Sequence, residues 1–215
     1  TVEKQHLETE CGFEYVNTAD NECNWSTVLK CGLLENWDIG IEFPYQFIDV
    51  TEGSDVDGIG DMVVSSKYRF LDETQGFPAL SLSFAIKTDT GNEDKGLGSG
   101  DLDYTITAIL TKELNKIVGH LNLGYIYVGA PEGQDDDVFS YALALEYPVD
   151  DRLNFVGELS GETNFEGDFD DNPFAALVGF NYAFSDAATF DFGAAWQISE
   201  ASPDYKLVTG LTLGF

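Results

Sequence analysis

The charged residues Glu10, Lys30, Asp38, Glu42, Lys67 and Arg69 sit on the beats between apolar or aromatic neighbours in successive alternating segments. In an extended chain those beats share one face, so these side chains would line a common wall wherever the segments pair. Two kinds of chemistry are open to such a wall. Opposite charges on adjacent strands can lock it, each pair contributing about 0.2–1 kcal/mol. Along an aqueous passage, the same groups would sort solutes by charge. Asp103, Glu146, Glu158, Glu162 and Asp191 fall on equivalent beats further along. Acids therefore outnumber bases on this face, which predicts a weak preference for cationic or neutral solutes.

Other chemistries find less support. Hydrolysis would need a nucleophile and an orienting group around His6 or His120, and spacing selects neither Ser140 nor Ser160 for that role. Glu158 and Glu162 have the residue types of a glycosidase pair, yet alternating carboxylates are expected on any wetted wall. No enzyme is expected, and no cofactor. Acidic clusters at Asp55, Asp57 and Asp61, at Asp135, Asp136 and Asp137, and at Asp168, Asp170 and Asp171 offer oxygen ligands for calcium. None has the spacing of an EF-hand loop, so a solvated acidic rim is the expectation and no metal site is predicted. Cys11 and Cys31 share the outward face, and a hairpin centred at Asn21 would place them opposite each other as a candidate disulfide. Cys23 would then be left over as a candidate for an intermolecular bridge.

Such residues need a scaffold, and the chain ends on its clearest specimen. Tyr205, Leu207, Thr209, Leu211, Leu213 and Phe215 fall on one beat, with Lys206, Val208 and Thr212 between them. The same period of two recurs in about twelve segments, with tyrosine and tryptophan near segment ends, where a bilayer has its headgroups. No apolar run reaches the roughly 18 residues of a transmembrane helix, so a membrane span must be made of strands. Lipid leaves an unpaired sheet edge unsatisfied, so the sheet must close. Short connections such as Asp150 to Arg152 and Ser185 to Ala188 alternate with long ones such as Asp49 to Asp61 and Thr90 to Asp101. The expectation is an all-β, closed, antiparallel, up-and-down transmembrane barrel of about twelve strands, one domain over residues 1–215, in a bacterial-type outer membrane. Both termini would then lie on the short-turn, periplasmic side. A start at Thr1 without methionine or an apolar leader fits a mature chain after signal-peptide removal. Acidic side chains number 39 against 10 basic ones, a net charge of -29 that argues against a nucleic-acid partner. An apolar fraction of 43% separates the chain from disordered acidic sequences.

The run Gly58-Ile-Gly-Asp61, then Ser66-Lys-Tyr-Arg-Phe70, Pro78-Ala-Leu80 and Gly96-Leu-Gly-Ser-Gly-Asp101 resembles the transporter family named for the meta-pathway of phenol degradation. Leu121-Asn-Leu-Gly-Tyr125 and Ala142-Leu-Ala-Leu-Glu-Tyr-Pro148 are similar to it as well. The resemblance implies an outer-membrane transporter or channel, with the lipid bilayer and small solutes as partners, and names no substrate. Two readings stay open. One is a channel for passive diffusion; the other is an occluded structural or surface-interaction barrel, a scaffold meeting partners or its own copies through acidic loops or Cys23.

Overall fold

The computed structural model describes residues 1–17, 21–49, 54–129, 136–163 and 171–215. Its strands are β1 Leu7–Asn17, β2 Asn21–Leu34, β3 Trp37–Asp49, β4 Val56–Ile59, β5 Val63–Leu71, β6 Ala79–Lys87, β7 Asp103–Leu114, β8 Ile117–Tyr127, β9 Asp137–Pro148, β10 Leu153–Thr163, β11 Phe174–Ser185, β12 Ala188–Gln197 and β13 Tyr205–Gly214. Sequence neighbours pair antiparallel except β4 with β5, β1 pairs with β13, and the β2–β3 pairing closes the ring. β4 and β5 both lie against β3 and share one position in the wall, so the closed barrel has twelve staves. Tyr45 faces Ile59 while Glu42 faces Val63, so the register slips by one residue between β4 and β5, as at a bulge.

The alternation turns the usual soluble architecture inside out. Val16, Leu97 and Ala195 are the only buried apolar side chains among the described residues, whereas Leu7, Trp25, Leu29, Phe43, Leu123, Leu143, Phe155 and Val178 all face outward and exposed. An apolar surface of that extent in water would drive association, so the bilayer is the missing half of its packing. Near the strand ends, aromatic pairs such as Tyr15 with Tyr205, 5.9 Å between centroids, and Tyr68 with Phe70, 4.7 Å, form the flanking girdles. Both termini lie at the short-turn end. There the 72–78 turn is held by Lys112, whose ammonium donates to Glu73 Oε1 at 2.7 Å and to the Thr74 carbonyl at 2.6 Å. That hydrogen bond, with a further one from the Glu113 backbone, holds the Glu73 carboxyl below the ordinary carboxylate range.

Two expectations are corrected here. Cys11 lies opposite Thr27 and Cys31 opposite Leu7, so Cys11 and Cys31 are not cross-strand partners; all three cysteines are free. The hairpin pairs around a point before Asn21, and this even slip keeps every side chain on its expected face while parting the cysteines. The stretch from Asp49 to Asp61, expected as a loop throughout, contains β4; glycines at 58 and 60 erase the alternation that would have marked it. If the outward face meets lipid, Leu143→Arg at the middle of β9 will cost about 2–4 kcal/mol in reversible unfolding from lipid vesicles. The neighbouring lumen-side Ala142→Ser will change stability by less than about 0.5 kcal/mol.

Candidate functional site

The inner wall carries the polar beats of every stave. Across β1, β2 and β3 the register sets Glu10, Val28 and Glu42 in one row. Lys30 lies opposite Glu8 and Gly40; its ammonium turns towards β1, 3.5 Å from Glu8 Oε1 and in direct contact with Glu10. Nearer the short-turn end Lys67 faces Asp38 across β3 and β5, with 4.0 Å between Nζ and Oδ2. Arg69 leaves that strip: its Nε lies 2.9 Å from Asp72 Oδ1 in the following turn. The expected ladder is therefore divided, with Lys67 beside Asp38, Lys30 one lumen-side row further along but bound to β1, and Glu42 in the row beyond Lys30.

The further acidic residues take separate places on the same wall. Asp103 pairs with Lys87 at 2.5 Å. Glu146 lies 3.5 Å from His120 Nε2, while His120 Nδ1 shares a 3.0 Å hydrogen bond with Thr111 Oγ1. Glu158 stands between Ala144 and Leu177, and Glu162 opposite Ser140. Asp191 lies between Asn181 and Gly210, where a Cβ on Gly210 would come within 2.5 Å of its carboxylate. Glu10, Glu14, Glu42 and Asp191, with Asn24 and Gln46, border one cavity of about 610 Å³. A second, of about 490 Å³, is lined by Thr107, Asn122, Ser140, Ser160, Glu162 and Lys206. Lys206 Nζ lies 3.5 Å from Glu14 Oε1, where the two linings meet. One side of the lumen is thus carboxylate-rich and the other rich in hydroxyl and amide groups.

Two features escaped sequence reasoning. At the short-turn end the segment before β1 turns inward: the Val2 N–H donates to Asp38 Oδ2 at 2.9 Å, and Gln5 N–H to the Gly32 carbonyl at 2.8 Å. Gly32 makes this possible, since a Cβ there would lie 1.9 Å from the Glu3 carbonyl oxygen. At the long-loop end Asp61, expected in a solvated rim, is instead buried, with its side chain 5% exposed. Asp57 faces the opposite way and accepts a hydrogen bond from Tyr45 Oη at 2.5 Å, so these aspartates do not converge. Asp135, Asp168 and Asp170 lie outside the described residues. The glycines of the Gly58-Ile-Gly-Asp61 run were the available signal for Asp61; nothing in residues 1–6 signalled an inward turn.

The model of the family described as "Putative MetA-pathway of phenol degradation" matches residues 6–215. The chain belongs to that family. No curated protein sequence matches it. An outer membrane channel from Pseudomonas putida F1 is similar at a TM-score of 0.79 and 15% identity, over 100% of this chain and 97% of that one. The KdgM porin, solved with disordered oligogalacturonate, gives 0.66 at 8% identity, over 96% and 99%. The CymD monoaromatic hydrocarbon channel gives 0.54 at 10% identity, over 98% and 88%. The family member described here shares with all three the fold of an outer-membrane β-barrel.

Replacing Gly32 by Val will push the segment before β1 off the inner wall, because the backbone of Glu3 occupies the Cβ position. Amide hydrogen exchange will then accelerate at Val2 and Gln5 while the β8–β9 pairing keeps its protection; unchanged exchange at Val2 would mean that the segment is not seated on Gly32.

Proposed function

We propose that this barrel is a channel for passive diffusion of small solutes, with a weak preference for cationic or neutral species. The observation that carries the reading is the cavity bordered by Glu10, Glu14, Glu42 and Asp191. Lys30, the basic residue nearest the Glu10–Glu42 row, is engaged by Glu8 and Glu10. A cation in that space meets uncompensated carboxylate, whereas an anion meets repulsion. The hydroxyl and amide groups of the opposite side, beside Glu162 and Lys206, give neutral polar solutes hydrogen-bonding partners. Names of the structural neighbours support a channel reading, since one is a porin, another a channel for monoaromatic hydrocarbons.

The preference should be weak because the lumen is wet. A unit charge acting through water over about 7 Å is worth roughly 0.6 kcal/mol, and salt screening about halves it, so its opposite effects on cation and anion together change their permeability ratio about two- to threefold. Reconstituted in planar bilayers under a potassium chloride gradient, the protein will give a reversal potential on the cation-selective side. Glu42→Gln will reduce the cation-to-anion ratio about two- to threefold and Lys30→Gln will raise it by a similar factor. Anion selectivity in the unaltered protein would overturn the charge preference. A folded barrel that conducts nothing would favour the scaffold reading instead.

A further inference from the structure

Asp61 follows the Gly58-Ile-Gly60 run at the point where β4 gives way to β5. Its carboxylate reaches residues far along the chain on both limbs of the connection between β6 and β7. Oδ1 accepts the Gly91 N–H at 2.8 Å, and Oδ2 accepts the Ser99 N–H at 2.9 Å with Ser99 Oγ at 3.3 Å. Lys87, at the end of β6, places its ammonium 3.9 Å from the same Oδ2 while pairing with Asp103 at the start of β7. One buried carboxylate thus holds the departing and the returning limb together. Charge-assisted bonds of this kind are worth about twice a neutral one, and more where water is excluded.

The loop is shaped to come this close. A Cβ on Gly98 would lie 2.5 Å from Asp61 Oδ1, and one on Gly91 would lie 2.2 Å from the Leu97 carbonyl oxygen. Gly96 and Gly100 take φ values of +70° and +74°, the left-handed conformation that glycine adopts without strain. Between them Leu97 is 4% exposed, a rare buried apolar side chain in this barrel. It lies against Gly58, where a Cβ would meet its Cδ1 at 2.7 Å. Gly58 pairs with Gln46, a lumen-side position, so Leu97 covers the inner surface of β4. A connection that only crossed the mouth would need neither the buried carboxylate nor this close approach.

We propose that Asp61 is the positioning residue of an outer constriction: it clasps residues 91–99 against the inner wall and so sets the width of the passage at the long-loop end. The constriction role rests on the channel reading above; the clasp itself does not. Solutes entering from that end pass the loop beside Lys87 and Asp103 before reaching the carboxylate-rich cavity. Asp61 contacts the protein's own loop and acts on solutes through it.

The test uses the full chain in lipid vesicles and planar bilayers, comparing the unaltered protein with Asp61→Ala, Gly98→Val, the double variant and Glu162→Gln. Folding of each is read from the heat-dependent shift in gel mobility. Trypsin cleavage after the exposed Lys95, identified by fragment mass, reports loop release without requiring conductance. Loss of the charged hydrogen bonds should accelerate cleavage about ten- to hundredfold in Asp61→Ala and Gly98→Val. The double variant should go no further than the faster single one, because both break the same contact. Single-channel cation conductance should rise in both, whereas Glu162→Gln, which removes a lumen charge without touching the loop, should lower it or leave it unchanged. Unchanged cleavage in Asp61→Ala would overturn the clasp. Faster cleavage with unchanged or reduced conductance would overturn the constriction. Absence of conductance from every folded variant would overturn the channel reading and with it the constriction, while the cleavage rates would still decide the clasp.

Discussion

Everything in this molecule depends on the requirement that backbone N–H and C=O groups inside a bilayer be paired within the protein. A sheet meets it only by closing, here through the β1–β13 and β2–β3 pairings. Closure then assigns every side chain: one beat to lipid and the other to the lumen, with no third environment. The near absence of buried apolar side chains among the described residues is the direct consequence, because a barrel wall one strand thick has no interior of its own. Stability comes from the continuous ladder and the lipid outside it. That leaves the inner wall free to carry charge that a soluble core would not tolerate.

The lumen uses this freedom unevenly. Carboxylates gather along β1, β3 and β12, with Lys30 and Lys206 holding part of that charge near Glu10 and Glu14. Along β7 to β10 serine, threonine and asparagine stand among more widely spaced carboxylates such as Glu146, Glu158 and Glu162. Such a division gives a solute different partners on opposite sides of one passage. Solvated ion pairs contribute little stability, and the partly exposed Lys206–Glu14 pair, 3.5 Å apart, is of that kind. The charges consequently matter more for the potential inside the barrel than for holding its staves together.

How much could be read in advance follows from which features obey the period of two. The face of each side chain was legible because alternation survives any even slip of register; Leu7, Trp25, Leu29 and Phe43 all lie outside as their beats require. Register itself was not legible, since turn geometry rather than pattern sets it, and Cys11 accordingly meets Thr27 instead of Cys31. β4 was hidden by its own glycines. The inward turn at Val2 and Glu3 depends on the space above Gly32, a property of the folded wall that no local pattern encodes. Asp61 was misplaced for a related reason: an aspartate among aspartates looks like a solvated rim until the loop that covers it is in place.

The two inward-turned segments share a physical logic. Each approaches the wall where a glycine removes the side chain that would otherwise occupy the space, Gly32 at one end and Gly58 at the other. Each also ends on a nearly buried aspartate whose carboxylate accepts backbone N–H groups, Asp38 from Val2 and Asp61 from Gly91 and Ser99. Backbone amides folded into the lumen lose water, and a carboxylate replaces it with a stronger, directed acceptor. Lys67 beside Asp38 and Lys87 beside Asp61 then offset the charge of each carboxylate. Glycine to make room, aspartate to take the amides and lysine to balance the aspartate therefore form one repeated solution. It lets a simple closed wall carry structure inside itself without opening a gap in its own hydrogen bonding.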